Sequence, residues 1–211
     1  MTSSRRQSPP DRWTVGIDPG LTETGMILLD PSQQYQAGAT FTASRISGSD
    51  LERIVNLGAS VTSMLAAWTV QHGIRRVLIG MEYPFMNSGF NNVQTYRKQI
   101  SLLHEIESAL WRQSRDSRKV YGDDATLVRI AEINPTVSKR LLTGDGKADK
   151  SDMIAAGPFE GRADIPRFTR EALADAYAHA MAALDVAEVE QLLVLEELKA
   201  KAYQPKFVEE V

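Results

Sequence analysis

The sequence predicts an α/β protein, and three features of its first hundred residues carry that prediction. Residues 13–30 have the pattern of a β-hairpin, with two apolar runs joined by PGLTETG, a connection too short for a helix. Residues 50–71 then repeat apolar side chains at helical spacing. Residues 77–81 form a short apolar run typical of a buried central strand. Together they predict a βαβ crossover beside the hairpin.

Composition places the chain among ordinary soluble proteins. Its 211 residues are 43% hydrophobic and 24% charged, enough for one domain with a real core. The absence of cysteine excludes disulfides, thiolate zinc sites and cysteine nucleophiles. No apolar run approaches the ~20 residues of a membrane span, so we expect no membrane partner.

The two ends differ from the body. Residues 1–12 lack the apolar core of a secretory signal, and we expect a disordered tail. Because this tail is basic and serine-rich, organellar targeting stays open beside the expected cytoplasmic location. We expect residues 188–211 to be an acidic helical extension and tail, which leaves 13–187 as the predicted domain. Local basic patches in the body suit phosphate contacts despite a net charge of −3.

The elements of the first half follow from caps and breakers. We expect a third strand over 37–44, and a helix that Ser49 or Asp50 begins and Gly73 ends. A helix over 93–112 comes next. The polar segment 114–125 that follows has the composition of an irregular insertion.

The second half begins with a predicted strand over 127–133. Asn134 and Pro135 are a good helix start, and the helix gives way to a glycine-rich loop over 143–152. A second loop, over 157–168, precedes a long alanine-rich helix, which we expect Thr169 to cap and which reaches about residue 201.

Two loops carry candidate nucleic-acid contacts. The loop after residue 82 contains Tyr83, Phe85 and Phe90, which could pack onto the core or present a stacking surface for bases. The glycine-rich loop contains Lys147 and Lys150, which could cradle a phosphate or belong to an ordinary helix–helix turn.

Carboxylates stand where chemistry could be built. Asp18 and Glu82 each follow an apolar strand, and Asp175 lies in the alanine-rich helix with Glu171 and His179 four residues to either side. Converging carboxylates repel, and a hard divalent cation such as Mg²⁺ or Mn²⁺ relieves the repulsion. The plainer alternatives are a turn cap for Asp18, a favourable helix-dipole position for Glu171 and a surface or dimer contact for His179.

With these residues in view, the chain resembles RuvC-type Holliday junction resolvases of the RNase H-like superfamily. Four blocks match that family in order, and the third is the most specific. The blocks are GIDPGLTETG, VLIGMEYPFM, PTVSKRLLTGDGKADKSDM and EALADAYAHAMAAL.

The resemblance implies a mixed five-stranded sheet flanked by helices and a homodimer that nicks a four-way DNA junction in pairs. It implies two Mg²⁺ ions per active site, replaceable by Mn²⁺, with Asp18 between them and Glu82 and Asp175 on either side. Phe85 matches the family's wedging aromatic residue. Lys147 and Lys150 match lysines that contact phosphate, and Lys139 in the same block is a further candidate DNA contact. Tyr83 and Phe90 lie in the same loop as the wedge.

The chain also departs from the family pattern. Ala172 stands where the family has an aspartate, so Glu171 or His179 is the candidate fourth ligand. Together with the 114–125 segment and the acidic tail, this departure indicates a divergent member, for which a phage origin is one explanation.

Other functions stay open at this point. The altered ligand position would suit an inactive junction-binding protein, and an RNase H-like nuclease on other branched or hybrid substrates would share the chemistry. The first hairpin also resembles the phosphate-binding hairpin of sugar kinases and actin-like ATPases, although the chain is short for their two lobes.

Overall fold

A mixed five-stranded sheet forms the centre of the protein, as predicted. The computed structural model describes residues 12–42, 48–83, 93–122 and 126–200. The strand order is β3-β2-β1-β4-β5, in which β1 pairs antiparallel with β2 and parallel with β4. The strands are β1 (Arg12–Asp18), β2 (Glu23–Leu29), β3 (Tyr35–Thr42), β4 (Arg76–Glu82) and β5 (Leu127–Ile133).

Helices cover both faces of this sheet. The first two helices pack on one face through a large apolar cluster, and the last three cover the other face. The connection from β1 to its parallel neighbour β4 therefore contains the predicted crossover helix. The helices are α1 (Asp50–His72), α2 (Val93–Tyr121), α3 (Pro135–Thr143), α4 (Lys150–Ala156) and α5 (Arg167–Ala200).

Predicted caps define several helix ends. Ser49 forms a capping box with Glu52 at the start of α1, and Gly73 ends that helix in the left-handed region at φ 63°. Asn134 caps α3 by accepting a hydrogen bond from the backbone N–H of Thr136 at 2.8 Å. These predictions are confirmed.

Three predicted boundaries are wrong. Much of the expected insertion is helical, because α2 continues to Tyr121 and buries Ser114, whose hydroxyl donates to the Thr126 carbonyl. Asp149 caps a short helix, α4, where we expected a loop. The last helix begins at Arg167, before Thr169. Side-chain composition missed all three, because exposed polar residues suit helices as well as loops.

Glycine lets α5 lie directly on the sheet. A Cβ atom on Gly16 would come 1.7 Å from the carbonyl oxygen of Ala176, and one on Gly80 would come 2.1 Å from that of His179. Both glycines are paired across β1 and β4. Any larger residue there would push the helix away, so these two positions set the distance between α5 and the strand ends.

Some sequence predictions fall outside the described residues. They concern the tail before residue 12, Phe85, Phe90 and the chain after residue 200. The boundary expected at residue 188 stays a prediction, and α5 runs through it without interruption. Among the described helices, none has an apolar stretch long enough to cross a bilayer.

Candidate metal centre

Two strand ends bring the first pair of carboxylates together. Asp18 is the last residue of β1 and Glu82 the last of β4, and the parallel register pairs Ile17 with Met81 immediately before them. Side chains alternate along a strand, so Asp18 and Glu82 point to the same face as Gly16 and Gly80. That is the face against which α5 packs.

Helix α5 adds an imidazole to this pair. One ligand atom each from Asp18, Glu82 and His179 lies within 4.8 Å of the others. His179 is 2% exposed, and its Nε2 atom lies 3.3 Å from Glu82 Oε2. That is an ion-pair distance, but its direction is not that of a hydrogen bond. Neither ring nitrogen has a hydrogen-bond partner among the described residues.

The close carboxylates disturb each other's protonation. Burial, followed by the negative charge of Glu82, raises the pKa of Asp18 to about 6. Burial alone would also raise the pKa of Glu82, but His179 and the positive charge of Lys150 together lower it below its usual range. Of these two carboxyls, Asp18 is therefore the one that holds a proton more readily in the metal-free protein.

Asp175 lies one turn before His179 and is held by a lysine. Its side chain is 9% exposed, and its Oδ2 atom accepts a hydrogen bond from Lys150 Nζ. Lys150 begins α4 and reaches across from that helix, with half of its side chain exposed. Its positive charge also opposes the rise in the pKa of Asp18 and helps to lower the pKa of Glu82.

Glu171 lies apart from this group. Its carboxylate accepts a hydrogen bond from Arg167 Nε at 2.9 Å, and its charge raises the pKa of Glu23, after the larger effect of burial. The structure therefore brings together Asp18, Glu82 and His179, with Asp175 beside them, and it does not bring Glu171 into the cluster.

The candidate DNA contacts divide into three groups. Lys139 Nζ donates to the Ala148 carbonyl at 3.1 Å and so braces the turn before α4, whereas Lys147 is exposed on that turn. Tyr83 packs against the core on the α1 and α2 side, which matches the plainer of its two interpretations. Phe85 and Phe90 lie outside the described residues.

The residues present fit a divalent cation. Two carboxylates and a buried imidazole, neither of whose nitrogens has a hydrogen-bond partner among the described residues, form a donor set that metal ions accept. A cation there would also relieve the repulsion that raises the pKa of Asp18. The nitrogen ligand favours Mn²⁺ over Mg²⁺, because Mg²⁺ prefers oxygen.

Sequence reasoning missed the pairing of Lys150 with Asp175. The two residues are 25 positions apart on different helices, and no spacing pattern links them. The alanine-rich surroundings of Asp175 do show that its carboxylate needs a partner, but they do not show which partner.

Comparison with solved structures supports the fold. Thermus thermophilus RuvC is 20% identical to this chain with a TM-score of 0.54, covering 81% of this chain and 95% of its own. The same protein in complex with a Holliday junction substrate is 18% identical with a TM-score of 0.52, covering 82% and 94%. The yeast mitochondrial Holliday junction resolvase Ydc2 is 14% identical with a TM-score of 0.51, covering 82% and 79%.

These neighbours come from a bacterium and from yeast mitochondria, so they give no support to a phage origin. No protein-family model matches the chain. No curated protein matches it either. At these identities the likeness establishes a RuvC-like RNase H fold, with a mixed five-stranded sheet flanked by helices.

Proposed function

We propose that this protein is a metal-dependent endonuclease that resolves four-way DNA junctions by paired symmetric nicks in a homodimer. One observation carries the proposal: Asp18, Glu82 and His179 converge at the strand ends of a RuvC-like fold. A structural neighbour bound to a Holliday junction substrate supports branched DNA as the ligand.

In this proposal the cluster holds the metal. Asp18, Glu82 and His179 would bind a divalent cation, Asp175 would complete the site for a second, and Glu171 would take no part. When bound, the pair would supply an activated water and stabilise the leaving oxygen of a phosphodiester. The products would be a 5′-phosphate and a 3′-hydroxyl.

The chain's own residues would orient the substrate. Lys150 is half exposed beside the carboxylates, so its ammonium could bind the phosphate next to the scissile bond. Lys147 lies on the same turn and is exposed for a second backbone contact. The raised pKa of Asp18 means that cation binding displaces a proton from this carboxyl below about pH 6.

The test is cleavage of an immobile four-way junction in Mg²⁺, in Mn²⁺ and in EDTA. We expect symmetric nicks in the junction, none in linear duplex or in an RNA–DNA hybrid, and none in EDTA. The Asp18→Asn variant should bind the junction and leave it intact. Equal cutting of the hybrid would favour a different RNase H-like nuclease.

A second candidate function is junction binding without cleavage. The pairing of Asp175 with Lys150 favours it, because a carboxylate so engaged is not available to a metal. Ala172 stands where the resemblance expects another acid, which points the same way. Tight junction binding without nicks in either metal would select this candidate.

A further inference from the structure

The contact between Lys150 and Asp175 contains more than a structural salt bridge. Asp175 is almost buried on an alanine-rich face of α5, where an ionised carboxylate needs a positive partner. Lys150 supplies that charge from a different helix. The proposed function assigns the same carboxylate to a metal ion, so the lysine ammonium group and a divalent cation compete for Asp175.

The two cations exclude each other. An ammonium group has three donors and no acceptor, so it can occupy the lone pairs of Asp175 but cannot itself bind a metal. It hydrogen-bonds the Asp175 carboxylate that the proposed function assigns to the second cation, and its charge also reaches Asp18 and Glu82. A divalent ion at the same carboxylates would be repelled by the lysine at short range.

Lys150 is also free to leave. Half of its side chain is exposed, and its flexible stem starts at the first residue of α4, a helix that Asp149 caps independently of the lysine side chain. A DNA phosphate is the natural competitor for an exposed ammonium group beside a nuclease site. Moving Lys150 to phosphate would release Asp175 without moving a helix.

We propose that Lys150 is a built-in counter-ion that takes the place of the second cation at Asp175 in the free protein and is exchanged for a divalent cation when a DNA phosphate draws it away. The exchange rests on the proposed nuclease function, which it deepens by coupling metal loading to substrate. The free protein would then bind the second cation weakly, and the full two-cation site would assemble on DNA.

The test is Mn²⁺ titration of the free protein, with unbound Mn²⁺ measured by electron paramagnetic resonance. Lys150→Met keeps the length of the side chain and removes its charge, and Lys150→Gln is a second variant in case the first folds poorly. We expect about tenfold tighter Mn²⁺ binding in either variant, within the range of typical coupling between sites.

Lys147→Met is the matched control. It removes the same charge from the turn three residues earlier, and Lys147 is exposed away from the Asp175 contact. We expect its Mn²⁺ affinity to stay within about twofold of wild type, because the exchange needs contact and not merely nearby charge. An equal gain in this control would overturn the exchange.

Junction cleavage by the wild-type protein is measured in parallel, which separates the two proposals. Unchanged or weaker Mn²⁺ binding in the Lys150 variants, with an active wild type, overturns the exchange and leaves the nuclease standing. Tighter binding in the variants with an inactive wild type supports the counter-ion role of Lys150 and overturns the nuclease, and with it the coupling of metal loading to DNA. Absence of Mn²⁺ binding in every protein overturns the exchange.

Discussion

Replacing Asp18 with asparagine should stabilise the metal-free protein at pH 8. The pKa of Asp18 rises from an ordinary 3.8 to about 6 on folding, chiefly through burial and then through the charge of Glu82. Folding therefore favours the protonated carboxyl, and ionising it costs stability. Asparagine has the shape of the protonated form and avoids that cost.

The size and pH window follow from linkage. Because the folded pKa lies above the unfolded one, stability is highest below about pH 4 and falls as pH rises through about 6. The full difference of roughly two in pKa corresponds to about 3 kcal/mol. Since Asp18 is partly exposed, we expect about 1–2 kcal/mol, or about 3–6 °C in melting temperature.

The assay is thermal and urea unfolding of wild type and Asp18→Asn in EDTA, from pH 4 to pH 8. The stability gained by Asp18→Asn over wild type should be small near pH 4 and largest above pH 7. In saturating Mn²⁺ the wild type should become the more stable of the two proteins, because Mn²⁺ stabilises only the protein that binds it. Asp116→Asn is the control, because Asp116 is exposed and pairs with the exposed side chains of Arg115 and Lys119. A less stable Asp18→Asn protein at pH 8 would refute the reasoning.

Further predictions concern packing, metal choice and the turn before α4. Gly80→Ala should lower the free energy of unfolding by about 1–3 kcal/mol and weaken Mn²⁺ binding, because the added Cβ would meet the His179 carbonyl. Gly73→Ala, the control, should lower the stability of the protein and leave its Mn²⁺ affinity unchanged. His179→Ala should weaken Mn²⁺ binding and reduce the ratio of Mn²⁺ affinity to Mg²⁺ affinity, both measured by calorimetry. An unchanged ratio would exclude the imidazole as a metal ligand. Lys139→Met should lower the free energy of unfolding in urea by about 1–3 kcal/mol, because the Ala148 carbonyl loses its hydrogen-bond donor. If Lys139 served only to contact DNA, the variant would bind the junction more weakly with its stability unchanged.

Local periodicity explains why so much of the site could be predicted. A carboxylate that ends an apolar strand faces a definite side of the sheet, and this rule alone identifies Asp18 and Glu82 as candidate site residues. The four-residue step from Asp175 to His179 likewise places both on one face of α5. The contact between strand ends and helix needed the resemblance or the structure.

What the sequence did not reveal depends on contacts distant in the chain. The pairing of Lys150 with Asp175 joins two helices, and the same lysine would look identical in an ordinary turn. Glu171 has the same four-residue spacing from Asp175 as His179. It is nevertheless hydrogen-bonded to Arg167, and its charge contributes to the raised pKa of Glu23. Spacing alone cannot separate a metal ligand from a surface ion pair on the same helix.

The central claim is that Asp18, Glu82 and His179 form a metal centre, and the most direct measurement is anomalous scattering from crystals grown with Mn²⁺. We predict an anomalous peak bonded to both carboxylates and to the imidazole, at oxygen and nitrogen distances of about 2.0–2.3 Å. It should vanish in Asp18→Asn crystals. Ordered crystals without a peak at these residues, or with peaks only elsewhere, would contradict the account.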